Sequence, residues 1–195
     1  LRIGHTGEGC CNAGKRRPEI ARAGDRYAAL CAHAGGAGLR LALEFGIFTE
    51  VKTVAMARGI VEAARNPAAA ILVDPIHIDR SGATIDDIAA IPRDLLPYAQ
   101  FCDAAADRPD PDDFDAIIAD AVDLRHQLGD GVLPLAGILR ALPRDIPLSM
   151  ELRSKALRDR YPEPVPRARA VLAVDADDVA VGADRHTILD HDTQT

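Results

Sequence analysis

Short apolar strands alternate with helical segments along the middle of this chain, and that alternation constrains its fold more than any other feature. "LRLALEF" (39–45), "AILVD" (70–74), "PYAQFCDA" (97–104) and "IPLSMEL" (146–152) read as four strands. Helical spacing marks 19–37, a segment from a Thr49 cap to Ala64, a short turn from Thr84 to about Ala90, then 110–127, 133–142 and a stretch within 164–174. Strands followed in regular order by helices imply a parallel sheet with crossover connections. Glu44 and Asp74 stand about 30 residues apart and Asp74 and Gln100 about 26, close to the ~31 per unit of a (β/α)8 barrel. A doubly wound sheet has similar spacing, so the position of the polar residues has to decide.

Those residues fall at strand ends. Glu44, Asp74, Gln100 and Glu151 each sit at or beside the C-terminal end of an expected strand, and in a parallel barrel these ends converge on one catalytic face. Three carboxylates aimed at one spot repel one another unless a cation lies between them. Carboxylate and amide oxygens are hard ligands that suit Mg²⁺ or Mn²⁺, and Zn²⁺ or Co²⁺ less specifically. Taken singly, each has a plainer role: Glu44 as a helix-terminal or surface charge, Asp74 as an Asx cap, Gln100 as a core amide, Glu151 as a solvated charge. Their joint placement favours a divalent-metal site.

Composition narrows the classes. The net charge of −7 and 4% aromatic residues disfavour nucleic acid. No apolar run is long enough to span a membrane, and no basic and apolar leader opens the sequence, so a cytoplasmic address is expected. Cys10, Cys11, Cys31 and Cys102 lack zinc-knuckle spacing and read as reduced thiols without a role. There is neither a GxGxxG after a strand nor a GxxxxGK[ST]. Residues 1–18 lack any period and read as an irregular segment, and 175–195 read as a disordered acidic tail, leaving 19–174 as the folded unit.

"LRLALEF", "ILVDPIHIDRSG", "YAQFCDA", "LRHQLGDG" and "IPLSMELRS" together resemble the second half of the sugar phosphate isomerase/epimerase family, whose members have the xylose isomerase-like TIM barrel. The resemblance covers about residues 19–174 and implies the last four β/α units of an incomplete barrel. It implies Glu44, Asp74, Gln100 and Glu151 as metal ligands, where the epimerase branch has His in place of Gln100, and a Gln there resembles the inosose dehydratase branch. His77 is implied as a substrate contact, Arg80 and Arg125 as candidates to bind substrate oxygens, and Asp103 as a residue orienting a ligand from behind. Leu128 stands where the family's P-G-x-G loop has proline.

The expected activity is isomerisation or epimerisation of a polyhydroxy carbonyl compound through an enediolate, with Glu44 and Glu151 moving the proton and Mn²⁺ or Mg²⁺ as cofactor. The alternatives are a metal-dependent dehydratase of the inosose or 3-dehydroshikimate type, and a non-catalytic half barrel with open edges. The expected partner is a small sugar or polyol, with neither nucleic acid nor membrane, and self-association into a homo-oligomer stays open. An endonuclease IV-like role needs more histidines than this stretch holds.

Overall fold

The computed structural model describes residues 13–173. In chain order the elements are α1 (Ala13–Gly36), β1 (Leu41–Glu44), α2 (Val54–Ala64), β2 (Ala69–Leu72), α3 (Pro75–Arg80), α4 (Ile85–Ala89), β3 (Ala99–Phe101), α5 (Phe114–Val122), α6 (Leu135–Ala141), β4 (Leu148–Met150), α7 (Lys155–Arg160) and α8 (Pro164–Leu172). All four expected strands are present. β1 pairs in parallel with β2, and β3 with β4. A parallel bridge between Val73 and Ala99 joins the two pairs, with the Gln100 N–H donating to Val73 O at 2.9 Å. The result is two parallel two-stranded sheets, β1-β2 and β3-β4, linked edge to edge by that bridge, and among the described residues they do not close into a barrel.

Alternation along each strand separates two faces. Ala69, Ile71, Val73, Ala99 and Phe101 join the main hydrophobic core, and Leu41, Leu43 and Met150 pack against it. All four residues of β2 are buried, and full burial of Ile71 alone contributes about 2–3 kcal/mol. The opposite parity carries Ala42, Glu44, Ala70, Leu72, Gln100 and Ser149, in register across the pairs. Asp74 and Glu151 continue this parity beyond β2 and β4. Polar residues therefore collect on one face at one end of the sheet, while the other face is left for helices.

Helix α1 is held close to α2 and to the sheet. A Cβ on Gly24 would lie 2.5 Å from Ala63 Cβ, so the glycine permits close approach of α1 and α2. The buried Tyr27 hydroxyl donates toward Leu41 O and Ala70 O, tying α1 to both β1 and β2. Burial pushes the Tyr27 pKa up to about 12, so this link stays protonated across the physiological range.

Several local boundaries differ from the expectations. α1 begins at Ala13, inside the segment read as irregular, because its first turns carry no apolar period. Thr49 does not cap α2. Its Oγ accepts from Val51 N within a tight turn, and Thr53 caps the helix by accepting from Met56 N at 3.3 Å. The helix expected over 110–127 ends at Val122, beyond which Leu124 bridges Ser154 and His126 bridges Asp103. Two short helices, α3 and α7, are not among the expected helical segments. The proposed acidic tail at 175–195 lies outside the described residues.

Candidate metal centre

Asp74 ends β2 and starts α3, and Pro75 behind it supplies the fixed φ that suits the first helical position. The Asp74 side chain is fully buried. Its Oδ1 accepts from Ile76 N at 3.1 Å and from the Cys102 thiol at 3.3 Å. Its Oδ2 accepts from Arg125 Nη1 at 2.6 Å. The capping role and the charged role thus coexist in one carboxylate. Cys102, to which the sequence assigned no part, donates directly to this group.

Arg125 is 3% exposed and occupies the space between two carboxylates. Its Nη1 lies 3.2 Å from Glu151 Oε2 as well as contacting Asp74, and its Nε donates to Ala121 O. Burial works against the guanidinium charge, but Asp74, Cys102 and Glu151 outweigh it and raise its pKa further. Burial pushes the Glu151 carboxyl up, with the Asp74 carboxylate adding to this against the pull of Arg125.

Glu44, at the end of β1, faces His77 in α3. The distance from Glu44 Oε1 to His77 Nε2 is 3.5 Å. Among the described residues this buried Glu44 oxygen has no hydrogen-bond partner. Burial raises the Glu44 pKa to about 7, and the Asp74 and Glu151 charges contribute in the same direction. The His77 ring is 2% exposed and meets Phe48 edge-on, with centroids 5.2 Å apart. Burial lowers its pKa to about 4, so it is neutral at pH 7.

One ligand atom from each of Glu44, Asp74 and His77 can be chosen so that all three lie within 4.8 Å of one another. An unpartnered buried carboxylate oxygen, a second carboxylate and a neutral imidazole at this spacing fit a divalent cation. His77, expected at the substrate, is therefore part of the group that fits a metal. Gln100 is the middle residue of β3, and its buried Oε1 also lacks a hydrogen-bond donor. Glu151 meets the site through Arg125.

Arg80 and Asp103 have structural employment. The Arg80 Nε and Nη2 both bond Asp120, Nη1 bonds Asp79, and Nη2 reaches Ala105 O and Asp107 O. Every nitrogen of that guanidinium is engaged by the protein. Asp103, expected to orient a metal ligand, instead spends both oxygens on backbone N–H groups of Ala104, Gly129, Gly131 and Leu133. The "LGDG" sequence marked this loop, but the carboxylate at its centre was not legible as its anchor.

No family model matches the sequence, and no curated protein matches it. Solved structures do. A xylose isomerase-like TIM barrel/4-hydroxyphenylpyruvate dioxygenase fusion protein is similar over 66% of this chain and 20% of its own, with 26% identity and a TM-score of 0.58. The IOLI protein, solved with a bound zinc atom, is similar over 84% of this chain and 57% of its own, at 21% identity and a TM-score of 0.67. A xylose isomerase domain protein from Alicyclobacillus acidocaldarius subsp. acidocaldarius is similar over 82% of this chain and 62% of its own, at 22% identity and a TM-score of 0.54. The fold is that of the xylose isomerase-like TIM barrel superfamily, represented by part of a barrel. The chain spans less than two thirds of the length of each of these structures. No helix among the described residues is long and apolar enough to cross a membrane.

Proposed function

We propose that this chain supplies the metal-holding face of a xylose isomerase-like barrel, its four strands corresponding to the last four of eight. The reaction is isomerisation or epimerisation of a small polyhydroxy carbonyl compound, a sugar or polyol derivative. The observation that carries this reading is the unpartnered, buried Oε1 of Glu44 beside Asp74 and His77. A buried acceptor left unpaired costs about 1–3 kcal/mol, and a bound cation removes that cost.

Glu44, Asp74 and His77 would hold the cation, with Gln100 and Glu151 as further oxygen donors. When bound, it would supply Lewis-acid stabilisation of negative charge developing on a substrate oxygen. The remaining chemistry belongs to the carboxylates. One removes the proton from the carbon beside the carbonyl, and the C–H electron pair moves into a C–C double bond as the carbonyl oxygen takes the charge. The proton then returns to the opposite face, or to the neighbouring carbon. Glu44 is the first of these carboxylates. Glu151 is the second carboxylate, with the buried Arg125 charge fixing its position.

The test is solvent exchange. The full chain with Mn²⁺, incubated in D₂O with a panel of ketoses and inososes, should place deuterium on the carbon beside the carbonyl, read by NMR. Glu44→Gln and Glu151→Gln should each abolish it. Absence of exchange on every substrate, with Mn²⁺ bound, would sink the proposal. A dehydratase reading rests on Gln100 standing where epimerases have His, and loss of water in the product mass would favour it.

A further inference from the structure

We infer that Arg153 is a substrate-binding residue that pairs with an anionic oxygen group, a carboxylate or a phosphate ester, on the polyhydroxy carbonyl compound. The inference rests on the reaction proposed above and narrows its substrate to an acidic one. The segment "IPLSMELRS" sets Ser149, Glu151 and Arg153 at alternate positions, and Ser149 stands in register with Gln100. Past β4, Arg153 N–H donates to Glu151 O at 3.2 Å and Ser154 N–H to Leu152 O at 3.1 Å. Such three-residue turns at a strand end stay near extended backbone and preserve the alternation, so Arg153 follows Glu151 on the polar face. The Arg153 carbonyl accepts from Arg125 N–H at 3.2 Å, which seats it beside the residue that bridges Asp74 and Glu151.

The site opens on this side. The Asp74, His77 and Arg125 side chains are at most 3% exposed, whereas those of Glu44 and Glu151 keep 36% and 27%. Arg153 is exposed. Burial raises the Glu44 and Glu151 carboxyls, and the Arg153 charge opposes that rise at both. Its guanidinium therefore stands within electrostatic reach of carboxylates from β1 and β4 alike. Arg125 is committed to Asp74 and Glu151, Arg80 to Asp79 and Asp120, and Arg158 to Asp123, whereas Arg153 forms no ion pair among the described residues.

Charge balance points the same way. Arg125 and a divalent cation together match the negative charges of Glu44, Asp74 and Glu151, which leaves the Arg153 charge over. A neutral sugar leaves it unmatched, and an anionic group on the substrate matches it. The planar guanidinium fork suits carboxylate and phosphate oxygens alike.

The test measures binding of three polyols to the full chain with saturating Mn²⁺: D-glucitol, D-gluconate and D-glucitol 6-phosphate. Each of the two anions differs from glucitol at one end only. Calorimetry reads their affinities for wild type, Arg153→Gln, Arg153→Lys and the exposed control Arg22→Gln. Wild type and Arg22→Gln should bind one of the anions at least about tenfold more tightly than glucitol, the scale of a hydrogen bond to a charged group. Preference for gluconate identifies a carboxylate, and preference for the phosphate identifies an ester. Arg153→Gln should lose the preference while keeping its Mn²⁺ affinity, and Arg153→Lys should retain part of it. Equal binding of all three polyols, or binding of none, overturns the inference. So does a preference that survives in Arg153→Gln, as it would if the anion met only the cation. An Arg153-dependent preference without deuterium exchange on any substrate would sink the proposed reaction and leave the anion contact standing.

Discussion

Arg125 Nη1 lies 2.6 Å from Asp74 Oδ2, and both side chains are almost wholly removed from solvent. The guanidinium is the buried counter-charge of the Asp74 and Glu151 carboxylates. Removing it strands a buried anion, which typically costs about 3–5 kcal/mol. Arg125→Gln should therefore lower the urea midpoint of metal-free protein by a corresponding amount. A saturating divalent cation should restore much of the loss, because it binds only the folded state. Equal destabilisation with and without cation would show that no metal reaches Asp74.

The two members of the Glu44–His77 pair predict opposite pH slopes. Glu44 has a folded pKa of about 7, above its unfolded value of about 4.3. Its contribution to stability is fully present below the unfolded value and is lost as pH rises through 7. His77 is depressed to about 4, so its contribution is present above its unfolded pKa of about 6.5 and is lost as pH falls through 4. Thermal unfolding of metal-free Glu44→Gln should therefore gain on wild type between pH 4.5 and 7, whereas His77→Gln should gain on it as pH falls from about 6.5 to 4. A parallel pair of pH profiles for wild type and Glu44→Gln would refute the assignment.

The same values set the pH dependence of metal binding. A cation must displace the Glu44 proton below pH 7, while His77 needs no deprotonation above its pKa of about 4. Zn²⁺ affinity should rise about tenfold per pH unit between pH 5 and 6.5 and flatten above 7.5, with about one proton released per ion on the acid side. Calorimetry in two buffers of different ionisation enthalpy measures that proton. Release of two protons would mean that a second ligand, Glu151 or His77, is protonated in the free protein.

How far the site was legible follows from the scale of each signal. Strands β1 to β4 were found because Leu, Ile and Val runs recur at barrel spacing, and Glu44, Asp74 and Glu151 because they follow those runs directly. Helix α3 was missed because six residues are too few to show a period. Its real mark was the Asp74-Pro75 pair, an N-cap followed by N1 proline. That helix is what turns His77 toward Glu44, so missing it hid the closeness of the imidazole to the two carboxylates. Arg125 was expected at substrate oxygens and Cys102 without a role, and their contacts with Asp74 were out of reach because they cross long stretches of sequence. A residue's partner 51 positions away leaves no local pattern.

Gly46 connects strand β1 to the His77 ring. A methyl group there would press on Phe48 at 2.8 Å and on His77 Nδ1 at 3.3 Å, and both rings are packed edge-on. Gly46→Ala should move His77 while leaving the core strand β2 unaffected. The expected outcome is a loss in Zn²⁺ affinity of about tenfold, the scale for disturbing a group that orients a ligand, with a cooperative unfolding transition retained. Unchanged affinity would place the ring outside the coordination sphere.

Asp103 separates a scaffold role from a role at the metal. Its two oxygens accept from four backbone N–H groups at 2.8–3.1 Å, three of them in the loop that follows residue 128. A Cβ on Gly131 would lie 2.3 Å from Ala104 O and 2.4 Å from Asp103 Oδ1, so loop and carboxylate close on each other without room for a side chain. Asp103→Asn puts an amide donor against backbone donors and should cost about 2–3 kcal/mol. Amide hydrogen exchange at Gly129, Gly131 and Leu133 should accelerate, while Zn²⁺ affinity changes by less than about threefold, since outer-shell metal partners cost about ten- to hundredfold when lost. A tenfold loss of metal affinity with exchange at those three amides unaltered would return Asp103 to the metal centre.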